Sequence, residues 1–142
     1  MALGSNSKID LIRRVPLFEH CSKKELALIA GIADEIDLPA GKVLIREGDR
    51  GREFFVIISG EVEVRRKGRK IRTLGAGNFV GEMALLSREP RSATVTAATA
   101  LDVLVIVDRD FVALLDSTPE LWLKVARALA ERVGSDELSD RK

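Results

Sequence analysis

A chain of 142 residues, 46% apolar and 32% charged, is long enough to bury a core without disulfides or metals and lies well away from the composition of disordered chains. Its 23 Lys and Arg against 22 Asp and Glu leave a formal charge of +1, which excludes a global field for nucleic acid or anionic membrane, so any anion preference must come from a local site. The longest strongly apolar runs, 54–58 and 103–107, are strand-length, far short of the roughly 20 residues of a membrane-spanning helix. No signal-peptide pattern opens the chain and Cys21 has no internal disulfide partner, so a reducing cytoplasm is the expected location.

Residues 1–7 form a small polar leader, native or left from cloning, and are expected to be disordered, with one domain over 8–134 and a frayed polar tail over 135–142. Ile9, Leu11, Ile12 and Val15 stand at helical spacing before Pro16, and Ser22-Lys23-Lys24-Glu25 is a capping-box pattern ahead of Leu26, Leu28, Ile29 and Ile32. Two short helices are therefore expected first. From Ile36 the rhythm changes to brief Val/Ile/Phe-rich segments punctuated by closely spaced glycines, the pattern of antiparallel strands. In 61–65 polar and apolar residues alternate, which turns Val62 and Val64 inward. Lys67-Gly68 is a hairpin turn leading to 70–74, and further strands are expected over 94–98 and 101–107. Around eight strands predict a mainly β fold, an antiparallel jelly-roll-like β-barrel (double-stranded β-helix) flanked by N-terminal and C-terminal helices.

Asp108 is placed to N-cap a helix carrying Phe111, Val112, Leu114 and Leu115, and Pro119 to open a last helix that Gly134 stops. That helix carries Leu121, Val125, Ala128, Leu129 and Trp122 on a broad apolar stripe, a surface for the roll, for a second copy or for an attached effector domain.

The chemistry is concentrated in 81–95, Gly-Glu-Met-Ala-Leu-Leu-Ser-Arg-Glu-Pro-Arg-Ser-Ala-Thr-Val. A strand ending at Gly81 and passing into a helical turn exposes N–H donors to an anion, and glycine lets a phosphate approach the main chain. Arg91, after the rigid Pro90, brings a planar and permanently charged fork. Glu82 has the wrong sign for a phosphate and calls for a donor on the same ligand, such as a sugar hydroxyl. One phosphate and one free hydroxyl on a compact ligand describe a cyclic mononucleotide. The plainer reading of Glu82 and Arg91, a mutual salt bridge across a turn, is what the two residues suggest in isolation.

The segment closely resembles the phosphate-binding cassette of the cyclic-nucleotide-binding domain family, Phe-Gly-Glu-hydrophobic-Ala-Leu followed after a spacer by Pro-Arg-Ser/Thr-Ala-Thr/Ser-Val, with Val80 here where that family often has Phe. The likeness extends through Val15-Pro16-Leu17-Phe18, the turn region 41–48, Phe55-Val56-Ile57, Ser59-Gly60-Glu61-Val62 and the closing helices. It implies a non-catalytic sensor in which Arg91 pairs with the cyclic phosphate and Glu82 accepts the ribose 2′-hydroxyl. Gly81, Met83, Ala84 and Ser92 add contacts, and Val62, Val64 and Leu74 line the nucleoside side. The last helix acts as lid, with Leu129 or Arg132 capping the base, Arg by stacking. Ser92 after the Arg is compatible with either purine, since its hydroxyl can donate or accept, and the resemblance to domains with an adenine-type preference implies cAMP over cGMP.

The cationic hairpin residues Arg65, Arg66, Lys67, Arg69, Lys70 and Arg72 read as a solvated face rather than a nucleic-acid patch. Cys21 lacks a histidine other than its neighbour His20 to activate it, and Trp122 reads as a packing residue. A cupin-like metalloenzyme shares the barrel but needs clustered His and carboxylate ligands, and His20 is the only histidine, so no metal or catalytic set is assembled; a degenerate pocket for another small anion is the remote variant of that fold. A phosphodiesterase or cyclase fails for the same reason. A DNA-binding regulator of the catabolite-activator type needs a helix-turn-helix, for which the eight residues after Gly134 are too few. The chain is then expected to read no DNA and enter no membrane itself, while a sensor half of a regulator, an ion channel or a kinase subunit stays open beside a stand-alone receptor.

Overall fold

The computed structural model describes residues 4–87 and 89–140, the side chains of Ser5, Met83 and 132–140 lying outside that description. Helix α1 (Ser5–Arg13) begins inside the stretch expected as a leader, because Gly4 serves as N-cap and its carbonyl accepts the Lys8 N–H at 3.1 Å. A 3₁₀ turn (Pro16–Phe18) follows, then helix α2 (Lys23–Gly31). The α2 capping box forms as its pattern requires: Ser22 Oγ accepts the Glu25 N–H at 3.2 Å and Glu25 Oε1 accepts the Ser22 N–H at 2.8 Å.

Eight strands come next: β1 (Ala33–Leu38), β2 (Val43–Ile45), β3 (Glu53–Ser59), β4 (Val62–Arg66), β5 (Arg69–Leu74), β6 (Phe79–Val80), β7 (Thr94–Ala97) and β8 (Leu101–Val107). They pair antiparallel as two four-stranded sheets, β1-β8-β3-β6 and β2-β7-β4-β5. Among the described residues this is a jelly-roll-like sandwich rather than a closed barrel, since the order of each sheet runs between two edge strands. At the β4–β5 hairpin Lys67 and Gly68 have φ of 52° and 79°, the two positive values that a type I′ turn demands.

Within β3 and β8, residues 54–58 and 103–107 read as unbroken apolar runs because both faces are covered there. Phe54, Val56, Leu104 and Ile106 point into a core shared with the helices, where Phe18 packs against Phe54 and Phe111 with ring centroids 6.3 and 5.7 Å apart. The alternate residues Phe55, Ile57, Val103 and Val105 join Val62, Val64 and Val95 in the core between the sheets.

Helix α3 (Asp108–Ser117) starts one residue earlier than its sequence suggests. Val107 is the N-cap and makes no side-chain cap, while Asp108 stands in the first turn and accepts the Arg109 N–H at 2.7 Å. Helix α4 opens at Pro119 and runs to Asp140, through Gly134, which was expected to end it. A single glycine costs a helix about 1 kcal/mol relative to Ala, and nothing after it in 135–140 is a proline, so continuation is affordable. Leu121, Val125 and Ala128 are buried and Leu129 packs against the helical core, but Trp122 is half exposed. Among the described residues no helix is long and apolar enough to cross a membrane.

The β1 edge is acidic. Asp37 pairs in register with Asp102 of β8, and Glu35 is hydrogen-bonded to Asp102 through their side chains. Burial first, then that bond and the charges of Glu35 and Asp37, push the Asp102 carboxyl up to about 6. A carboxylate whose folded pKa exceeds its unfolded value of 3.8 binds more protons in the folded state, so its contribution to stability declines as pH rises from about 4 to about 6. Asp102→Asn is expected to raise the melting temperature at pH 7 and to flatten that decline, as followed by thermal melts across pH 4–7.

Candidate ligand-binding site

A cavity of about 520 Å³ opens beside the second sheet, lined by Ile45, Val64, Arg66, Ile71, Arg72, Leu74, Asn78, Phe79, Val80, Gly81, Glu82, Arg91, Ser92, Ala93 and Val95. Its size suits a small molecule, for which sites span roughly 300–1,000 Å³. β6 delivers the chain to Gly81, whose φ of +82° turns it sharply, and a 3₁₀ turn (Glu82–Leu85) begins there, closed by the Ala84 N–H donating to the Gly81 carbonyl at 3.0 Å. Glu82 is buried, at 4% exposure, which is unusual for a carboxylate.

Arg91 is positioned by its main chain. Its N–H donates to the Asp49 carbonyl at 2.7 Å and its carbonyl accepts the Gly48 N–H at 2.8 Å, and Arg50 bridges Pro90 beside them. The guanidinium then donates from Nη2 to the Glu53 carbonyl at 2.6 Å and from Nη1 to the Gly81 carbonyl at 3.4 Å, while Nε is buried without a hydrogen-bond partner. Burial lowers the pKa of this half-buried group and the nearby Glu53 charge opposes that, so it stays a cation. The contacts of Arg91 thus run to carbonyls, weaker partners than an anion, and leave one donor unsatisfied.

Of the residues expected at the site, Gly81, Glu82, Arg91, Ser92, Val64 and Leu74 border one cavity. Val62, cross-strand from Leu74, is instead fully buried in the core between the sheets. Ala84 faces a second, apolar cavity between the 3₁₀ turn and helices α3 and α4, with Leu85, Val112, Leu115 and Trp122. Leu129 packs with the helices and not at the site, because α4 lies along the N-terminal elements. The side chains of Met83 and Arg132 lie outside the described residues. Cys21 is half-buried, and burial, helped by the Glu25 charge, lifts its thiol to about 11, which fits an unreactive residue.

Three contributors were not singled out from the sequence. Gly51 carries no side chain where a Cβ would lie 1.6 Å from Arg91 Nε, so its absence makes room for the guanidinium. Arg66 and Arg72 belong to the cavity wall rather than wholly to a solvated face, and Arg66 Nε donates to the Ser92 carbonyl at 3.0 Å. The alternation of the hairpin held the signal for Arg72, since it stands opposite Val64 in register.

A jelly-roll-like fold with helices at both ends, and a cavity walled by a helical turn, a buried carboxyl and an arginine, has the form of a small-molecule-binding module. The cyclic nucleotide-binding domain family matches residues 35–118, and the chain belongs to that family. It is 40% identical over 125 residues to a cyclic nucleotide-gated potassium channel of Rhizobium etli, an alignment covering 88% of this chain and 35% of the channel. The chain spans about a third of the length of the first such relatives. Among solved structures, the N-terminal domain of a transcriptional regulator from Streptomyces coelicolor superimposes with a TM-score of 0.81 at 31% identity, covering 89% of this chain and 94% of that one. The regulatory domain of Toxoplasma gondii PKA, crystallised with cAMP, gives 0.72 at 32% identity over 78% of this chain and 44% of its own.

The backbone at Gly81 offers a test of the geometry. A Cβ there would meet Arg91 Nη1 at 2.5 Å and the Glu53 carbonyl at 3.0 Å, on top of the strain of a positive φ. Gly81→Ala is expected to destabilise the fold by about 1–3 kcal/mol in chemical denaturation.

Proposed function

We propose that this chain is a cAMP-responsive regulatory module. In this reading Arg91 neutralises the cyclic phosphate and satisfies its Nε on it, and Glu82 accepts the ribose 2′-hydroxyl. Gly81, Met83, Ala84 and Ser92 add contacts along the cassette, while Val64 and Leu74 pack against the nucleoside. The observation that carries it is a buried Glu82 and an under-satisfied Arg91 on the wall of one cavity, inside the segment matched to the family. A lone anion site would gain nothing from a buried carboxylate, whereas a ligand with both a phosphate and a hydroxyl uses both groups.

A second reading, cGMP, is favoured by Arg72. Guanine presents O6 and N7 as adjacent acceptors that a guanidinium meets in bidentate fashion, and adenine replaces O6 with a donor. Ser92 is compatible with both bases.

No described residue of α4 lines the cavity, and we take this arrangement as the open form, with closure over the base as the signal passed to an attached domain or a second copy. Similarity to a potassium channel, a transcriptional regulator and a PKA regulatory domain supports an attached output domain, and the free Cys21 supports a reducing cytoplasm.

Calorimetric titration with cAMP and cGMP tests the assignment. Saturable binding is expected in the wild type, falling at least tenfold in Arg91→Ala, which loses a charge-assisted contact of about 1.5–3 kcal/mol. Arg72→Ala is expected to leave cAMP affinity nearly unchanged and to weaken cGMP. Absence of heat with both nucleotides, together with an unchanged melting temperature, would refute the proposal.

A further inference from the structure

Helix α4 is tied down away from the cavity by two charged contacts. Lys124 Nζ lies 2.5 Å from Glu25 Oε1, the oxygen that also caps α2 through Ser22. Glu25 is buried, at 6% exposure, and its Oε2 has no hydrogen-bond partner among the described residues. Burial works against its charge, yet the hydrogen bonds from Lys124 and Ser22 prevail and hold its pKa below the ordinary carboxylate range. About two helical turns along α4, Glu131 Oε2 sits 3.1 Å from His20 Nε2, which is also 3.6 Å from Glu19 Oε1. Between these contacts the buried Val125 and Ala128 seal the same side of α4.

We propose that Lys124–Glu25 and Glu131–His20 form a clamp that holds α4 in the cavity-open position, so that their strength sets how tightly the module binds its nucleotide. The inference rests on the reading of α4 as a lid. A ligand that prefers the closed form must first draw α4 from this seat, and apparent affinity falls in proportion to the fraction of molecules that can close. Removing Lys124 from Glu25 leaves a buried charge uncompensated, which opposes departure strongly, whereas the exposed Glu131–His20 contact adds a weaker restraint.

The test compares wild type, the double variant Glu25→Gln/Lys124→Met, Glu131→Gln, and a chain ending at Ser117. The double substitution avoids stranding one buried charge, and melting curves identify folded variants. Trp122, the only tryptophan and itself on α4, reports the helix by its emission. The double variant is expected to bind cAMP on the order of tenfold more tightly, Glu131→Gln to a smaller extent, and both to show nucleotide-free emission shifted toward that of the nucleotide-bound wild type. Unchanged affinity and unchanged emission in the folded variants would overturn the clamp; if the double variant does not fold, Glu131→Gln decides alone. A chain ending at Ser117 that binds as tightly as wild type removes the lid and the clamp together. Weakened binding there, with the clamp variants inert, removes the clamp only.

Discussion

The two strands β3 and β8 are covered on both faces, and the rest of the molecule follows from that constraint. Because successive side chains alternate, one set of residues must satisfy the helices and the other the opposing sheet. Phe54 and Ile106 do the first, Phe55 and Val105 the second. Over 54–58 and 103–107 neither set contains a polar residue, which is why these runs look like buried strands in the sequence. The arrangement also fixes where β3 begins, at Glu53, whose carbonyl accepts a hydrogen bond from Arg91. The site is therefore anchored to a strand covered on both faces, although the described residues of its own segment, 81–87 and 89–92, hold only a 3₁₀ turn and an isolated bridge to Arg50.

Within that segment the order of effects runs from main chain to side chain. The Gly48–Gly51 turn takes both backbone groups of Arg91, and Gly51 leaves the space through which its side chain passes. The guanidinium is then left facing carbonyls with a donor to spare, and the carboxylate of Glu82 is buried on the same wall. A buried carboxyl and a guanidinium on one cavity wall are a more specific feature than net charge, because they set an acceptor and a cationic donor at fixed places around the same space.

Much of this was legible in the sequence where the determining physics is local. Ser22 and Glu25 specify their capping box within four residues, Lys67-Gly68 their turn within two, and the limits of β8 coincide with the strand expected over 101–107. Legibility failed where the deciding contact is distant. Asp108 looks like an N-cap, but α3 already begins there, with the Asp108 N–H donating to the Arg52 carbonyl at 2.7 Å, so Val107 takes the position. Val62 and Val64 share a strand face, yet only Val64 reaches the cavity, since Val62 sits deeper between the sheets. Arg72 was grouped with solvated cations because alternation reveals a face and not what stands beyond it. Gly134 shows the limit of a one-residue stop signal, and Leu129 shows that an apolar stripe does not announce which surface it will choose.

Glu25 serves two structures with one oxygen, the start of α2 and the seat of α4. Secondary structure and tertiary position are thereby made to share a single acceptor. A displaced α4 leaves that acceptor to the cap alone, and a lost cap withdraws the anchor of α4. Order at the first turn of one helix is in this way a measure of the placement of another, and hydrogen exchange at the Ser22 amide would register the departure of a helix almost a hundred residues further along the chain.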